Sequence, residues 1–531
     1  MNGSIWISAG LLAGILLAIP GRCQAVDKVS QWHVYEIELI GDVEHDRLPL
    51  EVEAEVLLTA PSGRERSVPA FWDGGRSWRA RVAPGETGRW HWASRCAAEP
   101  GLDGASGQFD CAAADADDLV TRGPLRVAED GRHFEHPDGT PFFWLADTAW
   151  NGALRAAEAD WAEYLDLRRE QGFSAIQFVT TQWRGWPEAQ VYDDADGQLD
   201  VNVEQFRRLD RMLAAVNEHG LVAAPVMLWT LTERDPGQTL SEENAIALCR
   251  YMVARWGAYN VAWLLGGDGR YQDTVERWQR LGRAVFGEDH DRPVTMHPCG
   301  SSWVGEWFGG EPWFDFLGYQ SGHGLPEKTS RWIAQGPPAK GWRDLPVPII
   351  NLEPNYEGHP AYSSEHVISA LDVRRAAWLS LLSTPTAGVT YGTNPIWVWA
   401  EEVGTAPGHG NLKDIPPWRE GLETEGIGGM TALRQIVDGL QWWRLRPAQE
   451  LLAAQPGSED ARNIIAVAIT DERDLLVAYA PGGGEIVLKA EDLPTGAVWR
   501  DPRDASAIPA TGDGGRFTAP DERDWLLVLT R

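Results

Sequence analysis

Apolar positions follow two different rhythms along this chain. Between residue 27 and about 125, short runs alternate apolar with polar residues: "HVYEIELIG", "LEVEAEVLLTA", "VPAFWDGGRSWRARVAP" and "TGRWHWASRC", each cut by Gly, Pro or Asp turns. A period of two sends one face of each run into a core and the other into water, which predicts a β-sandwich. From Pro141 the rhythm changes to nearly continuous apolar runs: "FFWLA" (142–146), "AIQFVT" (175–180), "VAAPVML" (222–228), "VAWLLG" (261–266), "PVTMH" (293–297), "FDFLGY" (314–319), "VPIINL" (347–352) and "AGVTYG" (387–392). Between most of them lie stripes at a spacing of three to four. One holds Ala245/Ile246, Cys249, Met252/Val253 and Trp256; another holds Val367/Ile368, Leu371, Trp378 and Leu381/Leu382.

Strands apolar on both faces and separated by helices predict a parallel sheet covered on its outside. Eight such units in about 300 residues fit a (β/α)₈ TIM barrel better than an open doubly wound sheet. The connection between the fifth and sixth strands is the shortest. After a helix expected at "LQWWRLRP", β-patterns return in "NIIAVAIT", "DLLVAYAPGG", "EIVLKA" and "WLLVLT", predicting a small sandwich-like module. The expected organisation is a signal peptide at 1–25, an N-terminal β-sandwich at 26–126, an α/β barrel at 127–446 and a C-terminal β-domain at 447–531.

The first residues change the picture of where the chain works. An apolar stretch from Ile5 to Ile19 precedes small residues ending in Ala25, the layout of a cleavable export signal; a retained membrane anchor is the alternative. Export to the periplasm or beyond would be oxidising, and there Cys96 and Cys111, fifteen residues apart across a Gly-rich turn, could pair. A formal net charge of −30 over 531 residues opposes nucleic acid and anionic membranes as partners. The 28 tryptophans outnumber the 11 tyrosines and 13 phenylalanines together. Indole suits stacking on the C–H face of a sugar, although core packing accounts for most of them.

Barrel chemistry sits at the C-terminal ends of strands. The polar and aromatic residues there are Asp147, Gln182, Trp183, Trp229, Asp268, His297, Gln320, His323, Glu353, Tyr356, Glu357, Asn394 and Trp397. Amides and acids for hydroxyls, indoles for stacking and a pair of carboxyls for bond cleavage make up a carbohydrate site. There is no phosphate-cradling GxxxxGK[ST] or GxGxxG, no GxSxG nucleophile elbow and no Cys/His metal spacing, so neither cofactor nor metal is implied.

The segments "PFFWLADTAW", "EYLDLRREQGFSAIQFV", "VAWLLGGDG" and "NLEPNYEG" resemble the apiosidase-like glycoside hydrolases over roughly residues 130–445. The run "FWDGGRSWRARVAPGETGRWHW" resembles the β-sandwich that often precedes such barrels. The C-terminal module resembles a β-domain whose family label is collagen-binding, a label that carries no function by itself. The resemblance implies a glycosidase in which Asp268, of the GGD motif, is the acid/base and Glu353, the first Glu of EPxYE, its partner. Strand-end placement points to the same two residues. Asp147, Gln182, Trp183, Trp229, His297, Gln320, His323, Tyr356, Glu357, Asn394 and Trp397 are the expected substrate contacts. His297 and His323 serve equally well as hydrogen-bonded core residues, and Glu357 as an orienting or solvent-facing acid. Close carboxyls on strands four and seven would favour retention, with the pKa of Asp268 raised. The competing class is a catalytically silent carbohydrate-binding or adhesion protein.

Overall fold

The computed structural model describes residues 27–115, 120, 122–182, 190–406, 412–489 and 492–531. The expected signal peptide and Trp183 lie outside the described residues.

Eight parallel strands form the central sheet: Trp144–Thr148, Ala175–Val179, Val222–Trp229, Trp263–Gly267, Val294–Thr295, Leu317–Tyr319, Ile349–Asn351 and Gly388–Tyr391. All eight coincide with the expected apolar runs. Their spatial order is five, four, three, two, one, eight, seven, six, so every strand but the sixth pairs with its predecessor in the chain and strand one meets strand eight. The sheet is barrel-like, with one seam between strands five and six that lacks a backbone ladder. Thr295 stitches it instead: its hydroxyl donates to the Phe316 carbonyl at 2.6 Å and accepts from the Gly318 N–H at 3.0 Å. Strand five is only two residues long, and a single turn, Gly305–Phe308, follows it.

Helices cover the outside. Ser241 caps Glu242–Trp256 by accepting from the Asn244 N–H, and the predicted stripe Ala245, Cys249, Met252 and Trp256 is buried against the sheet. The helix after strand seven starts later than its stripe suggests. Ser369 and Asp372 form a capping box that begins it at Ala370, which leaves Val367 outside and 57% exposed. The segment "LQWWRLRP" is not a helix. Helix Glu425–Asp438 precedes it, a short 3₁₀ turn spans Trp442–Arg444, and Leu445–Pro447 is a strand pairing with Ala466–Thr470.

On the N-terminal side, seven strands hydrogen-bond as one sheet, in the chain order one, seven, six, three, four, five, two. The sheet curls enough for Tyr35, on one edge strand, to meet Phe109 near the other edge, with ring centroids 4.2 Å apart. Cys96 and Cys111 are free. They belong to the paired strands Gly88–Cys96 and Ser106–Ala112, but Cys111 lies opposite Gly88, at the far end from Cys96. Eight residues of extended chain separate them by roughly 26 Å, beyond any disulfide.

A buried ion network fastens this sheet to the barrel. Arg81, from the sheet, donates to Asp210 at 2.9 Å; Arg255, from helix Glu242–Trp256, reaches Asp210 at 2.6 Å and Asp73 of the sheet at 2.9 Å. At the other end, a six-stranded and a three-stranded sheet enclose a separate core of Val467, Leu476, Ile486, Phe517 and Leu527. The six-stranded sheet turns its second face to helix Ala370–Ser383, which explains why "NIIAVAIT" reads as continuously apolar. That helix is buried all round and carries Arg374 into a bidentate pair with Asp524.

Candidate active site

Just past the C-terminal ends of the strands, a cleft of about 530 Å³ opens between Trp150, Trp229, Asp268, His323, Glu353, Tyr356 and Trp397. Glu353 stands two residues beyond strand seven. Its backbone is held there because its carbonyl accepts from the Gly322 N–H at 3.0 Å and Leu352 donates to Tyr319 at 2.8 Å. Its carboxylate is buried and faces two imidazoles: His323 Nε2 donates to Oε1 at 2.9 Å, and His297 Nε2 lies 3.3 Å from Oε2, near the outer limit of a hydrogen bond. Burial alone would raise the pKa of Glu353. The close approach of His297, the hydrogen bond from His323 and the positive charge these rings can carry outweigh it and hold the carboxyl well below the usual glutamate range. This acid stays ionised.

Asp268 follows strand four in a left-handed conformation, φ 51°. For a residue other than glycine this conformation costs on the order of 1–2 kcal/mol, and such strain gathers at functional sites. The two glycines before it are required by what they touch. A Cβ on Gly266 would come within 2.6 Å of the Tyr271 hydroxyl, and one on Gly267 within 2.6 Å of the Trp229 ring. The GGD motif therefore lets strand four pass between its neighbours and then turns sharply at the acid. The Asp268 N–H donates to His297 Nδ1 at 3.3 Å.

Aromatic groups make the walls. Trp150 packs edge-on against both Trp229 and the His297 ring, each at 5.2 Å between centroids. Trp397 donates its indole N–H to Asn394 at 3.1 Å, which fixes the plane of the ring. Tyr356 sits where Gly392 lacks a side chain; a Cβ there would lie 2.3 Å from its ring. Burial first, and then the charge of Glu353, push the Tyr356 hydroxyl pKa well above its ordinary value.

Of the residues expected from sequence, Trp229, Asp268, His323, Glu353, Tyr356 and Trp397 line this cleft, and His297 lies buried directly behind Glu353. Five others lie outside the lining. Asp147 is fully buried and accepts from Arg168 at 2.5 Å, Tyr164 at 2.8 Å and the Thr148 N–H at 2.8 Å. Glu357 accepts from Tyr391 and Thr424, both at 2.6 Å, and from the Gly426 N–H at 2.9 Å, so it caps helix Glu425–Asp438. Gln182 spends both ends of its amide on the backbone of Val191 and Tyr192. Asn394 binds Gly358 and Trp397. Gln320 is buried beside Gly300, with its carbonyl serving the Ser301 N–H. The lining also includes Trp150, Arg270, Cys299, His359 and Tyr362, which the strand-end reading passed over. Each lies a few residues beyond a residue it did select, in "ADTAW", "GGDGR", "HPCG" and "EPNYEGHPAY".

An ionised carboxylate and a second acid on one aromatic-walled cleft agree with what comparison with other proteins returns. The profile of the apiosidase-like catalytic domain matches residues 128–444. The chain belongs to this family. It is therefore a glycoside hydrolase, and its substrate is a carbohydrate. Residues 28–97 match a domain of unknown function, DUF5060. Among solved structures, a family 5 glycoside hydrolase from Bacteroides vulgatus ATCC 8482 superposes with TM-score 0.66 at 21% identity, covering 77% of this chain and 94% of that one. A structure named simply glycoside hydrolase gives TM-score 0.66 at 22% identity over 78% of this apiosidase-like chain and 98% of its own. At these identities the likeness shows the fold alone. No curated protein matches the chain in sequence.

Proposed function

We propose that this apiosidase-like enzyme is exported and cleaves its glycoside with retention of configuration, on a closed (β/α)₈ barrel at 127–446 between β-modules at 26–126 and 447–531. The observation that carries the mechanism is the setting of Glu353, a buried carboxylate kept ionised by two imidazoles on the cleft that Asp268 shares. Glu353 attacks the anomeric carbon while Asp268 gives its proton to the departing glycosidic oxygen. Water then attacks the glycosyl–Glu353 ester, and Asp268 takes its proton back, so that both residues end as they began. Trp229, Trp397 and Tyr356 offer flat faces for the sugar. The apolar segment before Ala25 supports export, which mass measurement of secreted protein would test: a mature chain beginning at Val26 is expected.

The mechanism is tested on apiosides and on pentose and hexose oligosaccharides, with proton NMR of the first product. Retention corresponds to carboxyls about 5–5.5 Å apart and inversion to about 6.5–9.5 Å. A first product of inverted configuration would make Glu353 a base acting on water. Binding without release across the panel would remove the catalytic reading altogether.

A further inference from the structure

His297 touches both acids. Its Nδ1 accepts the Asp268 N–H at 3.3 Å, which leaves the proton of a neutral ring on Nε2. Nε2 lies 3.3 Å from Glu353 Oε2, too long for a well-formed hydrogen bond, and these two buried atoms have no other hydrogen-bond partner among the described residues. The ring has little freedom to turn. It is fully buried, with Trp150 edge-on at 5.2 Å and Trp229 at 6.4 Å, and its own carbonyl accepts from the Tyr271 hydroxyl at 3.0 Å. The titratable groups around it and around the carboxylate it faces are Glu353 from strand seven, Asp268 from strand four, Tyr271 beyond it, His323 across the Glu353 carboxylate, and Tyr356, whose hydroxyl feels the charge of Glu353.

We propose that His297 is a positioning residue serving both acids at once, one ring nitrogen for each: Nδ1 anchors the left-handed backbone of Asp268, and Nε2 steadies the Glu353 carboxylate for attack. The idea rests on the retaining assignment above and adds to it. Glutamine and asparagine separate the two duties, because a glutamine amide can occupy the place of Nε2 and an asparagine carbonyl that of Nδ1. In His297→Asn the anchor to Asp268 is kept and the donor to Glu353 is lost. In His297→Gln the donor is kept and the anchor is lost.

The probes are 2,4-dinitrophenyl and alkyl glycosides of a pentose and hexose panel, used with the full-length chain at matched folded fraction. His297→Asn is expected to move the acid limb of kcat/KM upward by about one pH unit, because Glu353 loses a donor that favours its charged form. His297→Gln is expected to leave that limb in place and to slow alkyl glycosides at least tenfold more than dinitrophenyl ones, whose leaving group needs no proton from Asp268. Equal losses on all substrates with unmoved limbs in both variants would reduce His297 to packing and overturn the proposal. A chain inactive on every probe would refute the retaining assignment instead. The positioning role would then be read from the ¹³C titration of the Glu353 carboxyl, which must rise in His297→Asn for the proposal to stand and overturns it by staying unchanged.

Discussion

Replacing Asp210 with asparagine tests whether the N-terminal sheet is part of the enzyme's frame or an appendage. The Asp210 carboxylate accepts from Arg81, twice from Arg255, and from the Trp256 indole, at 2.9, 2.6, 3.1 and 2.7 Å. Asparagine keeps the shape but removes the charge, and whichever way its amide turns, an NH₂ faces a donor. Breaking a buried pair by removing one partner costs about 3–5 kcal/mol. Asp73 still holds Arg255, so the lower end is expected, a large part of a typical folding stability of about 5–15 kcal/mol. Acid adds a second signature. Burial opposes ionisation of Asp210, but Arg255 and Arg81 outweigh it and lower its pKa to about 2. A depressed carboxylate stabilises the fold above its unfolded pKa of about 3.9, and that stability is lost as pH falls through the folded value; here it amounts to on the order of 2 kcal/mol. Urea unfolding at pH 7 and at pH 3, scored on the first transition, should show a drop of about 3 kcal/mol for Asp210→Asn at pH 7 and a weaker acid dependence than the parent. A loss under about 1 kcal/mol with an unchanged acid response would refute the reasoning and leave the sheet loosely attached.

Other expectations follow from the cleft. Asp268→Asn and Glu353→Gln should each cut kcat by about a hundredfold or more with an unchanged melting temperature, and near-normal turnover in either would remove that residue from the mechanism. The acid limb of kcat/KM should lie below the ordinary glutamate value of about 4.3, because Glu353 titrates low; a limb above pH 5 would contradict the two-imidazole account. Glu357→Gln should lower thermal stability by about 1 kcal/mol through its helix cap while leaving the pH profile in place, which separates it from Glu353. Gly267→Ala should cost about 1–3 kcal/mol and raise KM, since the added methyl displaces Trp229; an unaffected KM would mean that Trp229 is not a substrate wall.

The strands of the barrel-like sheet were legible because each is buried on both faces and bounded by helices. The capped starts of helices were partly legible, and Ser241 marks one correctly. The "LQWWRLRP" segment misled because a short stretch with only a few apolar residues fits a helix or a strand equally well, and the decision lay with Ala466–Thr470, its partner strand. A cysteine spacing cannot reveal which ends of a hairpin the two thiols occupy, so Cys96 and Cys111 looked closer than they are. In the site, strand-end position selected Asp268 and Glu353, which line the cleft. It found Asp147 and Glu357 for the same reason, and position alone could not tell the four apart.

What separates these acids is the chemistry facing their oxygens. Asp147 is met by a guanidinium buried with it, and Glu357 by a helix N-terminus and two hydroxyls. Those partners are fixed parts of the fold, and neither acid is on the lining of the cleft. Glu353 is met from behind by imidazoles, which favour its charge while its residue still lines the open cleft. Asp268 is tied through its backbone N–H, in a conformation that the Gly266–Gly267 pair and His297 together sustain. The fold therefore spends two strand-end acids on holding strand one and the last helix in place, and sets the other two, Glu353 and Asp268, on the lining of the cleft.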